Sequence, residues 1–237
     1  MRLLLTRPEP EAGRSAETLR ARGHDVLISP MLNIEAVGDA HIGEGPFDGV
    51  LITSGNAARA LGDHAGRDRL LSLPCYAVGN QTAQAARDLG FSDVHSAQGD
   101  GGDLARLIAD ALGGRPATLL YLAGSDRARD MDAALRPAHV RLQTIVIYRA
   151  RAADAFTPEA VSALRDGRLD AVLHYSRRSS AIFAGCLRHH GLTGAALRVR
   201  HVCLSARAAE PLVELGATDI AIAPHPEEEA MLRLVPA

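Results

Sequence analysis

Six short polar segments of this chain each follow an apolar run and lead into a stretch with helical periodicity. They are Thr6-Arg7, Thr53-Ser54-Gly55-Asn56, Gly79-Asn80-Gln81-Thr82, Gly124-Ser125, Ser176-Arg177-Arg178-Ser179 and Ser205. Such residues are typical helix N-caps, with free backbone N–H groups behind them. A helix N-terminus with free amides and a nearby arginine favours a carboxylate or a phosphate.

The simpler interpretation of each segment is that its hydroxyl only caps the following helix, since capping is the common use of serine and threonine there. In a parallel sheet, however, segments that follow strands gather at the carboxyl edge. Six of them together favour a ligand that carries several negative groups.

Other candidate sites are weak. The adjacent His189 and His190 would diverge on a helix and cannot chelate one metal ion. Cysteine occurs at three positions without a CxxC pair, which predicts neither a disulfide framework nor a zinc site. The acidic run Glu227-Glu228-Glu229 predicts a solvated first turn of the last helix. We therefore expect no metal site.

Composition excludes several classes of protein. All 26 basic residues are arginine, and the absence of lysine rules out a lysine Schiff base, a pyridoxal phosphate aldimine and a phosphate-loop lysine. Charges nearly balance at −2 and aromatic residues make up 3%, which argues against nucleic acid binding. No apolar run approaches the ~20 residues of a membrane helix, and the start MRLLLTRPEPE is unlike a signal peptide. We expect a cytoplasmic protein that does not bind a membrane.

The apolar runs alternate with helical patterns along the chain. Strands are predicted at residues 2–6, 26–29, 49–53, 76–78, 94–96, 119–122, 140–147, 171–174, 202–204 and 220–222. Helices are predicted between most of them. This order predicts an α/β fold with doubly wound parallel sheets covered on both faces.

Several predicted helices carry start and stop signals. Thr157-Pro158 is an N-cap followed by proline at the first helical position, and Gly90 and Gly216 end their helices. Pro211 lies inside the helical pattern 206–215. We expect that helix to start late or to bend, because proline disrupts a helix interior.

The chain contains one unit twice. Residues 47–61 return as residues 169–183, with an aspartate, an apolar run, a serine and an amphipathic stretch in the same order. Two similar lobes imply a cleft between them, where small ligands commonly bind. The extended runs 31–37 and 145–151 take equivalent places in the two copies and predict two crossing strands that pair as a hinge. The predicted domains are therefore residues 1–34 with 152–237, and residues 38–145.

Tyr148 ends the predicted strand 140–147 near the expected cleft, in a chain with only four tyrosines. The plain interpretation is a packed hinge residue with a satisfied hydroxyl. A role in chemistry is the alternative.

Five ordered segments carry a family resemblance. They are LLLTRPEPEAGRSAETLRARGHDVLISPML, VLITSGNAARAL, CYAVGNQTAQAARDLG, LLYLAGSDRARDMDAAL and LQTIVIYRA. Together with the internal duplication, this ordered set resembles the uroporphyrinogen-III synthase family along nearly the whole chain. The resemblance implies two flavodoxin-like lobes joined by a two-stranded ladder, with the first lobe made from both chain ends.

The resemblance also implies an activity, the cofactor-free conversion of hydroxymethylbilane into the type III macrocycle. Hydroxymethylbilane is a linear tetrapyrrole with acetate and propionate arms. Loss of its hydroxyl makes an azafulvene cation, which the substituted carbon of the last ring attacks to give a spiro intermediate; this fragments and recloses with that ring reversed. Such a lyase of haem biosynthesis is expected to be a monomer, and the preceding pathway enzyme is a candidate partner.

Residues are carried over one by one. Tyr148 matches the family tyrosine at the end of the hinge strand, and its hydroxyl is the expected donor to the leaving group. The positions that match binding loops are Thr53, Ser54, Asn56, Gly79, Thr82, Ser125, Arg129, Ser176, Ser179 and Ser205. In the last lobe the chain departs from the family, with Ser205-Ala206-Arg207 in place of a Gly-Pro-Thr-like turn and Arg177-Arg178 in place of a smaller segment.

Two other functions compete with this interpretation. A non-catalytic two-lobed module for a polyanionic small molecule would tolerate the loss of Tyr148. A two-lobed receptor for a phosphorylated ligand would carry compact basic charge rather than dispersed hydroxyls.

Overall fold

The computed structural model describes residues 1–99, 101–126 and 131–236. The strands are β1 Arg2–Leu5, β2 Asp25–Ile28, β3 Leu32–Ala36, β4 Gly49–Ile52, β5 Cys75–Ala77, β6 Val94–Ser96, β7 Ala117–Gly124, β8 Val140–Ala152, β9 Ala171–His174, β10 Arg200–Cys203 and β11 Ile220–Ile222. The helices are α1 Glu11–Ala21, α2 Gly55–Gly62, α3 Asn80–Leu89, α4 Gly101–Leu112, α5 Met131–Leu135, α6 Pro158–Arg165, α7 Arg177–His189, α8 Thr193–Ala196, α9 Ala206–Leu215 and α10 Glu228–Leu232. Each of the ten predicted strands has a counterpart here, and β3 lies in the run 31–37.

The chain divides into two compact units, and the first comprises Met1–Asn33 with Arg151–Ala237. Its sheet has the order β11-β10-β9-β1-β2, with parallel neighbours throughout. In β1, which has a neighbouring strand on each side, Leu3 and Leu5 pack with α1 and α10, whereas Leu4 packs on the other face with α6, α7 and α9. A strand buried on both faces must be apolar at successive positions, which explains the continuous run in the sequence.

The second unit comprises Ile34–Ala150. Its sheet has the order β3-β8-β7-β4-β5-β6, and the pairs from β8 to β6 are parallel. Val50 and Leu120 pack with α2 and α3, while Leu51 and Tyr121 pack on the opposite face with α4 and α5. Both sheets are therefore covered on both faces, and the predicted α/β fold with two doubly wound parallel sheets is confirmed.

The divisions between the units lie inside β3 and β8. They fall between Asn33 and Ile34 and between Ala150 and Arg151, and β3 and β8 are neighbours in one sheet. The hinge role of these strands stays a prediction.

The helix ends follow local sequence signals. Gly90 and Gly216 have left-handed backbones with φ of 112° and 95° and end α3 and α9. The hydroxyl of Thr157 accepts a hydrogen bond from the first turn of α6 at 3.4 Å. The helix α9 begins at Ala206 and continues through the buried Pro211, so it does not start late, and the alternative of a bend at Pro211 stays a prediction. Burial of the Leu212 face offsets the one helical hydrogen bond that Pro211 cannot donate. Of the helices in the described part of the chain, none combines the length and the apolarity that crossing a membrane requires.

Candidate functional site

Each sheet has one position where the chain connections change direction. In the first unit β2 lies on one side of β1 and β9 to β11 lie on the other, so the direction reverses between β1 and β9. In the second unit β5 and β6 lie on one side of β4 and β7 and β8 on the other, so it reverses between β4 and β7. Ligands of open parallel sheets bind at the carboxyl ends of strands at such switch points. We call the residues that follow β1, β9 and β10 the first-unit edge, and those that follow β4, β5 and β7 the second-unit edge.

At the second-unit edge, Thr53 and Ser54 directly follow β4. The Thr53 hydroxyl lies 3.0 Å from the Tyr121 hydroxyl on β7. Ser54 Oγ accepts a hydrogen bond from the Asn56 N–H at 3.2 Å and caps α2. Asn56 Oδ1 accepts a bond from Arg59 one turn later. The capping interpretation therefore holds for Ser54, although a hydroxyl that accepts one bond still has a hydrogen to donate.

The start of α3 contributes backbone rather than hydroxyls. Gly79 is the N-cap and brings no side chain, so the first N–H groups of α3 receive no side-chain cap. The Asn80 side chain accepts a bond from the Ser96 hydroxyl at 3.0 Å. Thr82 is only 8% exposed, so its hydroxyl is poorly placed to meet a ligand. The loop therefore offers the uncapped backbone at the start of α3 rather than the Thr82 hydroxyl.

Tyr148 lies in β8 beside the end of β7, where an irregularity in the register places Gly124 opposite it. The Ser125 N–H donates to the Tyr148 carbonyl at 3.0 Å. A Cβ added at Gly124 would lie 2.6 Å from Tyr148 Cζ and 2.8 Å from its hydroxyl oxygen. The phenol therefore lies directly against the Gly124 backbone, and no side chain fits between them. A glycine at a strand end signals such a close approach, so the sequence carried a hint of this role.

At the first-unit edge the serine hydroxyls also cap helices. Ser176 Oγ accepts from the Ser179 N–H at 3.1 Å, and Ser205 Oγ accepts from an N–H of α9 at 3.3 Å. Ser179 is buried. Arg177 pairs with Glu210 of α9 at 2.7 Å. The Arg177 charge that departs from the family pattern is therefore directed at a neighbouring helix.

Four further residues meet at the first-unit edge, and we call Arg7, Ser15, Tyr175 and Glu228 the Arg7 cluster. The Arg7 guanidinium lies 4.2 Å from the centroid of the Tyr175 ring. Its Nη1 lies 2.7 Å from Glu228 Oε1 and 3.0 Å from Ser15 Oγ. The Ser15 hydroxyl contacts the same carboxylate oxygen, and the Tyr175 hydroxyl donates to it at 3.4 Å. Burial raises the pKa of Tyr175 to about 12, so this phenol stays a neutral donor.

Glu228 corrects one sequence-based expectation. The last helix begins at Glu228 as expected, but this side chain is only partly exposed and is paired with Arg7 rather than free in solvent. Met231 and Leu232 of α10 are buried in the core with β1, and their packing brings Glu228 onto the sheet edge. Nothing in the local run of three glutamates distinguishes it from its neighbours.

His174, the last residue of β9, and His201 of β10 form a buried pair next to the first-unit edge. His174 Nε2 is 3.1 Å from His201 Nδ1, and His201 Nε2 is 3.2 Å from the Ala196 carbonyl oxygen. Because a carbonyl only accepts, His201 Nε2 carries its hydrogen, and Nδ1 of a neutral His201 accepts from His174. Burial holds the pKa of His174 well below its ordinary value, with His201 as a second cause, and burial also lowers the pKa of His201.

The predicted site residues thus separate into two groups. Thr53, Ser54, Asn56, Gly79, Thr82, Ser125 and Tyr148 belong to the second unit, whereas Ser176, Ser179 and Ser205 belong to the first. Arg129 lies outside the described residues. Their roles stay predictions. Sequence reasoning named Gly124 and Glu228 but not their contacts, and it missed Tyr121 and Ser15 as site residues, because these contacts join separate parts of the chain.

Two doubly wound sheets with polar switch points define a two-unit α/β protein of flavodoxin-like architecture. A family model described as uroporphyrinogen-III synthase HemD matches residues 13–233, and the chain belongs to that family. The resemblance seen in the five segments is confirmed.

Solved structures agree in fold. A uroporphyrinogen-III synthetase from Helicobacter pylori superposes with a TM-score of 0.63 at 18% identity, over 99% of this chain and 98% of that one. A mutant uroporphyrinogen III synthase from the extremely thermophilic bacterium Thermus thermophilus has a TM-score of 0.52 at 19% identity, over 98% and 96%. No curated protein matches this chain. At such low identity the similarity establishes the fold, and the family model carries the functional class.

Proposed function

We propose that this protein cyclises hydroxymethylbilane to uroporphyrinogen III and reverses the last pyrrole ring through a spiro intermediate. The observation that carries the proposal is the family match over residues 13–233. The reaction breaks a carbon–oxygen bond and releases water, so we assign the protein to the lyases. The non-catalytic binding module is not favoured, because the family and fold matches are to synthases.

The reaction requires one proton donor for the departing hydroxyl and a site that holds the two ends of the substrate together. When the carbon–oxygen bond of the first ring breaks, its electron pair leaves with oxygen, a proton converts the departing hydroxide to water, and the ring nitrogen supplies electrons to the azafulvene cation. The substituted carbon of the last ring then forms a bond to the cationic carbon. Fragmentation of the spiro ring and closure at its other carbon reverse that ring, and loss of a proton restores the pyrrole. Positioning of the two chain ends decides between this route and direct closure.

Tyr148 is the proposed donor to the departing hydroxyl. Its hydroxyl has one O–H, which can donate a hydrogen bond to the departing oxygen. The contact with Gly124 limits where the phenol can lie. Precise placement of a donor is what makes it effective in a transition state.

The carboxylate arms of the substrate are proposed to meet backbone and hydroxyl donors. The uncapped start of α3 behind Gly79 offers N–H groups. Ser54 and Ser205 each accept one bond from a helix N–H and keep a hydrogen that can be donated to a carboxylate. Hydroxyls at helix starts can therefore cap and bind at once.

The test is incubation with freshly made hydroxymethylbilane and chromatographic separation of the type I and type III products. Spontaneous closure gives type I, so we expect the type III product to dominate only in the presence of the folded protein. Heat-denatured protein and buffer are the controls. A product ratio equal to that of buffer alone contradicts the proposal.

A further inference from the structure

The Arg7 cluster lies at the switch point of the first unit. Arg7 follows β1 and Tyr175 follows β9, the two strands between which the connections change direction. This is the position where an open parallel sheet most often receives a ligand. A guanidinium there is suited to a carboxylate, because its fork of N–H groups matches the two carboxylate oxygens.

The donors of the cluster are held in place while their acceptor is accessible. The Arg7 side chain is 18% exposed and is stacked on the Tyr175 ring, whereas Glu228 is 38% exposed. Arg7, Ser15 and Tyr175 converge on one oxygen, Glu228 Oε1. The fold thus forms a carboxylate site and fills it with a carboxylate of its own.

We propose that the Arg7 cluster is a carboxylate-binding subsite, and that Glu228 occupies it until a carboxylate arm of the ligand displaces it. The inference rests on the proposed function, which supplies a substrate with acetate and propionate arms. The exchange replaces one carboxylate by another, so Arg7 remains paired throughout and no half-buried charge is left alone.

The displacement requires only a change of the Glu228 side chain. Met231 and Leu232 anchor α10 in the core, so the helix itself stays in place while the side chain turns towards solvent. Glu228 then competes with the ligand, and its removal should strengthen binding.

The test compares Glu228→Gln with Glu229→Gln. Each variant removes one negative charge from α10, but Glu229 is 71% exposed and pairs with Arg233, the residue directly after the helix. The probe is uroporphyrin III, the stable oxidised form of the proposed product, in a fluorescence titration at low and high salt. We expect Glu228→Gln to tighten binding roughly two- to tenfold, as removal of one competing ion pair would, and Glu229→Gln to change it little. Arg7→Gln should weaken binding roughly tenfold, and the double variant should behave as Arg7→Gln.

Two results would overturn the subsite. Equal tightening in both glutamate variants would mean a general effect of net charge. If Glu228→Gln lowers the melting temperature and does not tighten porphyrin binding, the cluster only holds α10 against the sheet. The titration needs no turnover, so these failures are separate from failure of the proposed function, which is diagnosed by type I product from the wild-type protein.

Discussion

Gly124→Ala is the sharpest test of how the fold places Tyr148. The added methyl would lie 2.6 Å from Cζ, 2.8 Å from the hydroxyl oxygen and 2.9 Å from Cε2 of the phenol. Ordinary contact begins at 3.4 Å, so the ring must shift by about 0.8 Å (3.4 − 2.6). This shift is close to the misplacement of about 1 Å that is enough to lower the rate of an enzyme strongly.

The expected result is a loss of turnover out of proportion to the loss of stability. A misplacement of about 1 Å costs on the order of 10- to 100-fold in rate. Overpacking costs about 1–3 kcal/mol in free energy of unfolding, and less if the ring can turn outwards. Turnover is measured as type III product from fresh hydroxymethylbilane, and stability by urea unfolding of the same preparation.

A double variant and a matched glycine separate positioning from general damage. If Gly124 acts through Tyr148, then Gly124→Ala combined with Tyr148→Phe should be no slower than Tyr148→Phe alone. Gly38→Ala is the control, because a Cβ there meets nothing within 4 Å, and it should leave turnover unchanged. Full activity of Gly124→Ala, or a double variant whose losses multiply, would refute the reasoning.

Three further outcomes are expected. Tyr148→Phe should lower turnover by about 10²–10⁴-fold with product that is still type III, since one donor is lost and the shape is kept; full activity at an unchanged melting temperature would assign Tyr148 to packing. Tyr121→Phe and Thr53→Val should each lower the free energy of unfolding by about 1 kcal/mol, and together by less than the sum, because their hydroxyls lie 3.0 Å apart; strictly additive losses would argue against the bond. His174 and His201 should make the protein sensitive to acid. Their folded pKa values are lowered from 6.5 by burial, so the unfolded chain binds more protons and stability is complete above about pH 6.5 and declines below it, by up to about 1.4 kcal/mol per pH unit for each histidine. Urea unfolding of the protein at a series of pH values between about 8 and 5 measures that slope. A free energy of unfolding that does not change with pH over this range would contradict the prediction.

The sequence was sufficient for features that depend on a few neighbouring residues. Gly90 and Gly216 end helices in the structure as the sequence indicates. The residue that ends a helix often adopts a left-handed backbone, which glycine adopts most easily, so this signal involves only the last turn of the helix. Ser54, Ser176 and Ser205 cap helices for an equally local reason. The alternation of continuous apolar runs with amphipathic stretches determined the parallel α/β class, since a strand covered on both faces has no polar side.

Proline and glutamate show where local reasoning fails. Pro211 remains inside α9 because the burial of that helix outweighs one missing hydrogen bond, and burial is decided by partners far along the chain. Glu228 looks like Glu227 and Glu229 in sequence, yet it alone pairs with Arg7, 221 residues away.

The sequence by itself determined the elements, the repeat and the family, because helix caps, apolar periodicity and an ordered set of segments are written in neighbouring residues. Only the tertiary structure decided which strands stand beside each other, and hence that Arg7 meets Tyr175 and that Gly124 lies against Tyr148. The order of the strands depends on how helices from distant parts of the chain bury both faces of each sheet. No short segment of the sequence contains that information.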